Sequence, residues 1–202
     1  MTKEERIESY KKYMSLVNRD GKEELFNWLR NTDFFTAPAS TRFHNNHEGG
    51  LFDHSVNVLE YARNLYTFSK KNYDFPDLNP ESIILCALHH DLCKINFYFK
   101  DKLWTKANDV WIDYVGYKII DEFPLGHGEK SLVYLLQHMK LTNDEMLAIR
   151  HHMGKYGAEE IAVENALTNP LVYLIYISDI CSGLVEKTTD YKQIAIDKRP
   201  IR

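Results

Sequence analysis

Residues 80–94 read Pro80-Glu81-Ser82-Ile83-Ile84-Leu85-Cys86-Ala87-Leu88-His89-His90-Asp91-Leu92-Cys93-Lys94. The proline and the polar pair behind it open a helix. From Ile83 to His90 no charge interrupts the apolar run, so this is expected to be the central buried helix of the fold. Outward from it, apolar residues recur at helical spacing almost everywhere. Ile7, Tyr10, Met14 and Val17 mark a first amphipathic helix, and Leu25, Trp28 and Leu29 a second that ends near Asn31 and Thr32. Thr36 to Gly50 is rich in turn formers, and the pair Gly49-Gly50 leads into a long helix with Leu51, His54, Val58, Tyr61, Ala62 and Leu65 on one face. Leu132 to Met139, Met146 to Met153 and Leu171 to Ile180 continue the helical pattern. The fold class is therefore all-α, with residues 1–40 expected as a helical cap packed on the same core as residues 41–202, a single domain overall. Only Lys94 to Pro124 departs from this, with aromatics interleaved with charges, and is expected to be an irregular or hairpin-containing flap.

The composition narrows the function classes. The chain has 202 residues, 44% hydrophobic and 27% charged, which is a globular mixture able to bury a sizeable core. Twenty-five Lys and Arg against 29 Asp and Glu give a net charge of -4, which excludes a histone-like or groove-wrapping role. The odd number of cysteines, three, fits reduced thiols in a cytoplasmic protein. No secretory leader or membrane span is expected, since the N-terminus has no apolar region and the run from Leu171 to Ile177 soon meets Asp179.

Nine histidines are more than packing needs. His54 follows Leu51 by three and precedes Val58 by four, so it sits on the buried face of its helix. Asp179 lies within the apolar run Leu174 to Ile180, and a buried carboxylate requires a partner such as a cation or a hydrogen-bonded network. Each such residue, taken singly, is also readable as a core His or an Asp bonded to a backbone amide. Together, imidazoles and carboxylates from separate helices are what a divalent cation such as Mn, Fe, Ni, Zn or Mg requires. His127 and the pair His151-His152 supply enough donors for two ions, and Asp91 can bridge them through its two oxygens.

The ordered set His54, His90-Asp91, His127, His151-His152 and Asp179, with Lys94 behind the dyad, resembles the HD-domain metal-dependent phosphohydrolase superfamily. The resemblance spans about Asn45 to Leu184, and Leu-His-His-Asp-Leu-Cys-Lys is close to that family's frequent His-Asp-Ile-Gly-Lys. Cys93 departs from it, standing where many members carry Gly. That departure is readable as an altered turn or as packing, and neither reading implies a reactive thiol. The segment Asn45 to Leu51 is most similar to the HD domains of bacterial 3'-5' exoribonucleases, whose additional OB-type module does not fit in the first 40 residues here. Other segments look like those of small stand-alone HD proteins of bacteria and phages.

The resemblance implies an HD helical bundle and a phosphohydrolase. One metal would be held by His54, His90, Asp91 and Asp179, and a second by Asp91, His127, His151 and His152, with a metal-activated water attacking phosphorus. Lys94 would contact phosphate, with Lys130 a second candidate because it follows His127 by three; each is also readable as a solvated lysine. His47 would contact substrate or protonate a leaving group, or is a plain loop histidine. In the flap, Phe97, Tyr98, Phe99, Trp104, Trp111 and Tyr114 would stack on a base and Lys100, Lys102 and Lys106 would meet phosphates, or the segment is an aromatic mini-core with solvated lysines. The expected substrate is a nucleotide or related small phosphate. Exonucleolytic or phosphodiester cleavage of single strands, and a non-catalytic metal-binding regulatory module, are the alternatives.

Overall fold

The computed structural model describes residues 1–155 and 160–197. Nine helices and one hairpin follow one another within them: α1 Lys3–Met14, α2 Lys22–Arg30, α3 Gly50–Asn72, α4 Pro80–His89, β1 Tyr98–Ala107, β2 Val110–Ile119, α5 His127–Leu136, α6 Asn143–Arg150, α7 Glu160–Ala166, α8 Pro170–Val185 and α9 Tyr191–Asp197. A 3-10 turn, Leu92–Lys94, follows α4.

The helix starts follow from local chemistry. Capping boxes open α1 (Thr2 with Glu5) and α6 (Thr142 with Glu145). Asn79 before Pro80, and Asn169 before Pro170, accept from the first free backbone amides of α4 and α8. The entry to α3 depends on two glycines. Gly49 has φ 78°, and a Cβ there would fall 2.0 Å from Arg6 Cζ; one on Gly50 would fall 1.8 Å from the Asn45 carbonyl oxygen. This close approach lets the partly buried Arg6–Asp53 pair join α1 to the first turn of α3, with Nε and Nη2 donating at 2.9 and 2.8 Å.

The core sits between α3, α4, α6 and α8. α3 lies along α8 and α4, and α4 is buried on every side from Ser82 to His89, as its uncharged run requires. Tyr10, Leu25, Leu29, Phe34 and Phe35, all wholly buried, belong to the same continuous core. Tyr10 donates to His89 Nε2 at 3.0 Å, and the other ring nitrogen of His89 donates to the Leu85 carbonyl at 2.8 Å. Burial lowers the His89 pKa to about 4, so this ring is a neutral structural member of the core.

The flap is more regular than the sequence suggests. It is a full antiparallel hairpin, pairing Tyr98 with Ile119 through Ala107 with Val110, so the chain is a helical bundle carrying one long two-stranded arm. Its tip is Asn108-Asp109, both at positive φ (48° and 63°), the two-residue turn whose twist matches that of the strands. The lysines on the arm do not point to a vacant surface. Lys100 faces Glu48 (3.2 Å), Lys102 faces Asp113 (3.1 Å), Lys106 faces Asp109 (2.8 Å) and Lys118 faces Asp101 (2.6 Å).

Candidate metal centre

Five segments bring their donors to one point beneath the core. α3 contributes His54 from its second turn, and the end of α4 contributes His90 and then Asp91, whose φ of -106° and ψ of 22° turn the chain out of the helix. α5 begins with His127, the end of α6 supplies His152, and α8 supplies Asp179.

The rings are aimed by their remote nitrogens. His90 Nδ1 donates to the Ala87 carbonyl at 2.8 Å and His152 Nδ1 to the Ile149 carbonyl at 2.7 Å. His54 Nδ1 donates to Glu186, 2.9 Å from Oε1. In the neutral ring such a bond leaves Nε2 as a lone-pair donor. The three Nε2 atoms accordingly face inward. Those of His54 and His90 lie 3.2 Å apart, and that of His152 is buried without a hydrogen-bond partner. Two facing ring nitrogens and an orphaned buried nitrogen are what a cation between them would satisfy.

Asp91 divides its carboxylate between two sets. Oδ2 lies 3.5 Å from His54 Nε2, 3.4 Å from His90 Nε2 and 2.5 Å from Lys94 Nζ. Oδ1 lies 2.7 Å from His127 Nε2 and 3.5 Å from His152 Nε2. Asp179 completes the first set, 3.0 Å from His54 Nε2 and 3.8 Å from His90 Nε2. Among the described residues three groupings of donors suited to an ion surround Asp91 and Asp179, His54 with His90 and Asp179, His90 with Asp91 and His152, and Asp91 with Cys93 and His127, and a fourth joins His44, His54 and Glu186.

The electrostatics match this crowding. Burial alone would raise both carboxyls, but Lys94 and His90 hold Asp91 well below the usual range, and the His54 hydrogen bond and the nearby rings hold Asp179 below it. Burial would lower His54, yet Asp179, Glu186 and Asp91 together raise it to about 9. His127 is likewise raised to about 9, with burial opposed by Cys93 and Asp91. Lys94, buried and against Asp91, is pushed up as its partner outweighs desolvation.

Some expected residues stand elsewhere. His151 joins none of the groupings among the described residues; it caps α6 beside Arg150, and consecutive residues at a helix end diverge by about 100°, so only His152 of the pair turns toward Asp91. His47 bonds the Glu48 carbonyl through Nδ1. Lys130 is buried rather than solvated, donates to Asp121 at 2.6 Å, and lines a cleft of about 190 Å³ with Cys93, Phe97, Asp121, Leu125 and His127. Beside it, Glu129 pairs with Arg150.

Three residues were missed by the sequence reading. Glu186 accepts from His54, His44, Asn57 and Ser182, and burial, which would raise it, is outweighed by these bonds so that it stays ionised. It caps the end of α8, seven residues beyond Asp179. His44 lies against the same carboxylate at 2.9 Å. Cys93 Sγ lies 3.3 and 3.4 Å from the two ring nitrogens of His127.

The HD domain matches residues 51–184 of this sequence. The chain belongs to the HD-domain family. No curated protein and no solved structure matched it. HD domains are in general metal-dependent phosphohydrolases, and the matched span of this one holds every donor of the three groupings above. Glu186 and His44 lie just outside it. No helix among the described residues is long and apolar enough to cross a membrane.

Proposed function

We propose that the protein hydrolyses a phosphoester of a nucleotide or related small phosphate at the Asp91 cluster. The observation that carries this reading is the division of Asp91, with Oδ2 turned to the His54, His90 and Asp179 set and Oδ1 to His127 and His152. One carboxylate so placed suits two ions side by side. His54, His90, Asp91 and Asp179 would hold one ion, and Asp91, His127 and His152 would hold the other. When bound, divalent ions would supply an activated water as nucleophile and neutralise charge growing on the phosphoryl oxygens.

The chain's own groups provide the rest. Asp179 and Asp91, kept ionised, give the cluster its negative charge at neutral pH. Lys94 is fixed by Asp91 as a permanent cation beside the reacting centre, where it would contact a phosphoryl oxygen. His127 is the most exposed of the donors, 33% against 14% for Asp179 and 2% or less for the others, so a phosphoryl group would enter from its side, past Lys130.

A second cleft, about 560 Å³, supports a nucleotide as the substrate. It lies between the hairpin, the loop before α3 and the chain leading into α9, and its lining includes Tyr114, Tyr117 and Tyr191 with Arg42 and Lys192. Aromatic faces suit a base and the two cations suit a phosphate. The pairing of Lys100, Lys102, Lys106 and Lys118 with carboxylates leaves the arm without the positive track that a long single strand needs.

The test is phosphate and nucleoside release from nucleotides, cyclic nucleotides and short single-stranded oligomers by metal-stripped protein reloaded with Mn, Fe, Ni, Zn or Mg. Salt-tolerant turnover of small nucleotides is the expected result. Turnover of oligomers alone, falling steeply with salt, would replace this reading with a nuclease. Bound metal without turnover of any of these would remove the nucleotide assignment and favour the regulatory module.

A further inference from the structure

We infer that Cys93 is a metal donor, making the His127 side of the cluster a sulfur-containing site, built from Asp91, Cys93 and His127, that takes a borderline ion such as Zn or Fe in preference to Mg. This rests on the reading that the cluster holds metal, and adds to it that the two sites differ in kind.

The placement of the sulfur is built into the backbone. Cys93 lies in the 3-10 turn between Asp91 and Lys94, and its amide donates to Ser131 Oγ at 3.0 Å. Ser131 in turn donates to the carbonyl of His127 at 3.3 Å. The turn that carries the sulfur is thus docked on the first turn of α5, which carries the imidazole.

The distances agree with a shared ion. Zinc to nitrogen at about 2.0–2.1 Å and zinc to sulfur at about 2.3 Å place N and S roughly 3.5 Å apart in a tetrahedral site. Cys93 Sγ is 3.4 Å from His127 Nε2, the nitrogen that faces Asp91 Oδ1 at 2.7 Å. These atoms fall within the 4.8 Å spread of one candidate group. His152 Nε2, 3.5 Å from the same Asp91 oxygen, falls in a separate grouping with His90. Asp91, Cys93 and His127 thus offer one oxygen, one sulfur and one nitrogen to a single ion.

A Cys, His and Asp so arranged also resembles a nucleophilic cysteine with its base. Burial argues against that role, because Cys93 is only 4% exposed and its sulfur has little surface from which to attack a substrate. As a ligand it needs no such access. Softness then separates the two sites. A thiolate favours zinc or iron over magnesium, whereas His54, His90, Asp179 and Asp91 Oδ2 offer only nitrogen and oxygen.

The test loads metal-stripped protein with cobalt(II), a spectroscopic stand-in for zinc. A thiolate-to-cobalt charge-transfer band in the near ultraviolet is expected, lost in Cys93→Ala and kept in the control Cys181→Ser. Chelator competition should show zinc affinity lowered roughly tenfold or more in Cys93→Ala, with manganese affinity at the other site little changed. Cobalt bound by elemental analysis with the same near-ultraviolet spectrum in both proteins would overturn the inference and leave the metal reading standing. Failure to retain any ion would overturn both. Should Cys93→Ala not fold, X-ray absorption on the zinc-loaded parent protein decides, since a sulfur neighbour at about 2.3 Å is expected and a shell of nitrogen and oxygen alone refutes it.

Discussion

Glu186 stands 2.9 Å from His54 Nδ1, on the side of the imidazole away from Asp179, so the ring is held between two carboxylates. One fixes its tautomer and the other shares its working nitrogen. Glu186→Gln keeps the size and most of the hydrogen bonding but removes the charge. Affinity for the ion on the His54 side should fall about 10- to 100-fold, the usual effect of losing a partner behind a ligand histidine. Chelator competition on folded protein checks this, and unchanged affinity would reduce Glu186 to a helix-end contact.

Asp91→Ala removes the group shared by both donor sets. Elemental analysis should find both ions lost, and turnover should disappear with them. Lys94→Met, by contrast, should retain metal and lose turnover. A variant without Asp91 that keeps its full metal content would refute the two-site arrangement.

Arg19 donates to Glu145, which is wholly buried and whose carboxyl is held below its ordinary 4.5, because bonds from Arg19 and Ser82 outweigh burial. A depressed folded-state pKa gives stability that is fully present above about pH 4.5 and is lost as the pH falls further. Arg19→Ala strands this carboxylate and should cost about 3 kcal/mol near neutrality, the low end for a broken buried pair. The corresponding Tm loss is roughly 6–12 °C. Thermal melts through decreasing pH should show the gap between variant and parent closing below 4.5, while a gap independent of pH would mean that the pair is not the source.

Tyr114→Ala tests the larger cleft. Stacking on a base contributes about 1–3 kcal/mol, so KM for a nucleotide should rise roughly 5- to 150-fold with metal content unchanged. An unaltered KM would place the base elsewhere.

Legibility in the sequence tracked burial. His54, His90, Asp91 and Asp179 stand out because each interrupts an apolar helix face, where a polar group needs a reason. Glu186 does not, since it sits beside Lys187 at the end of α8 and reads as an ordinary polar terminus; only the packing of α3 against α8 brings it to His54. Cys93 reads as a small core residue, because its relation to His127 depends on how the 3-10 turn docks on α5. The arm was half legible. Its aromatics and charges alternate, but both strands are largely exposed on two faces, so no apolar period marks the register. The pair His151-His152 shows the opposite error, since adjacency in sequence suggested a joint role that helix geometry divides.

Asn46 is wholly buried, and its side-chain amide bonds both backbone groups of Thr189, giving 2.7 Å to the carbonyl and receiving 2.8 Å from the amide. It copies a peptide unit, as though one rung of a ladder had been set where no strand runs. The Asn45 amide adds a bond to the Lys187 carbonyl at 2.9 Å, and the Tyr191 hydroxyl donates to the Asn46 carbonyl at 2.9 Å. The wall of the larger cleft from Thr188 to Tyr191 is therefore riveted to the segment that delivers His54. Where a base would lie and where a phosphate would be cut share one chassis on that wall of the cleft, while its opposite wall is the arm.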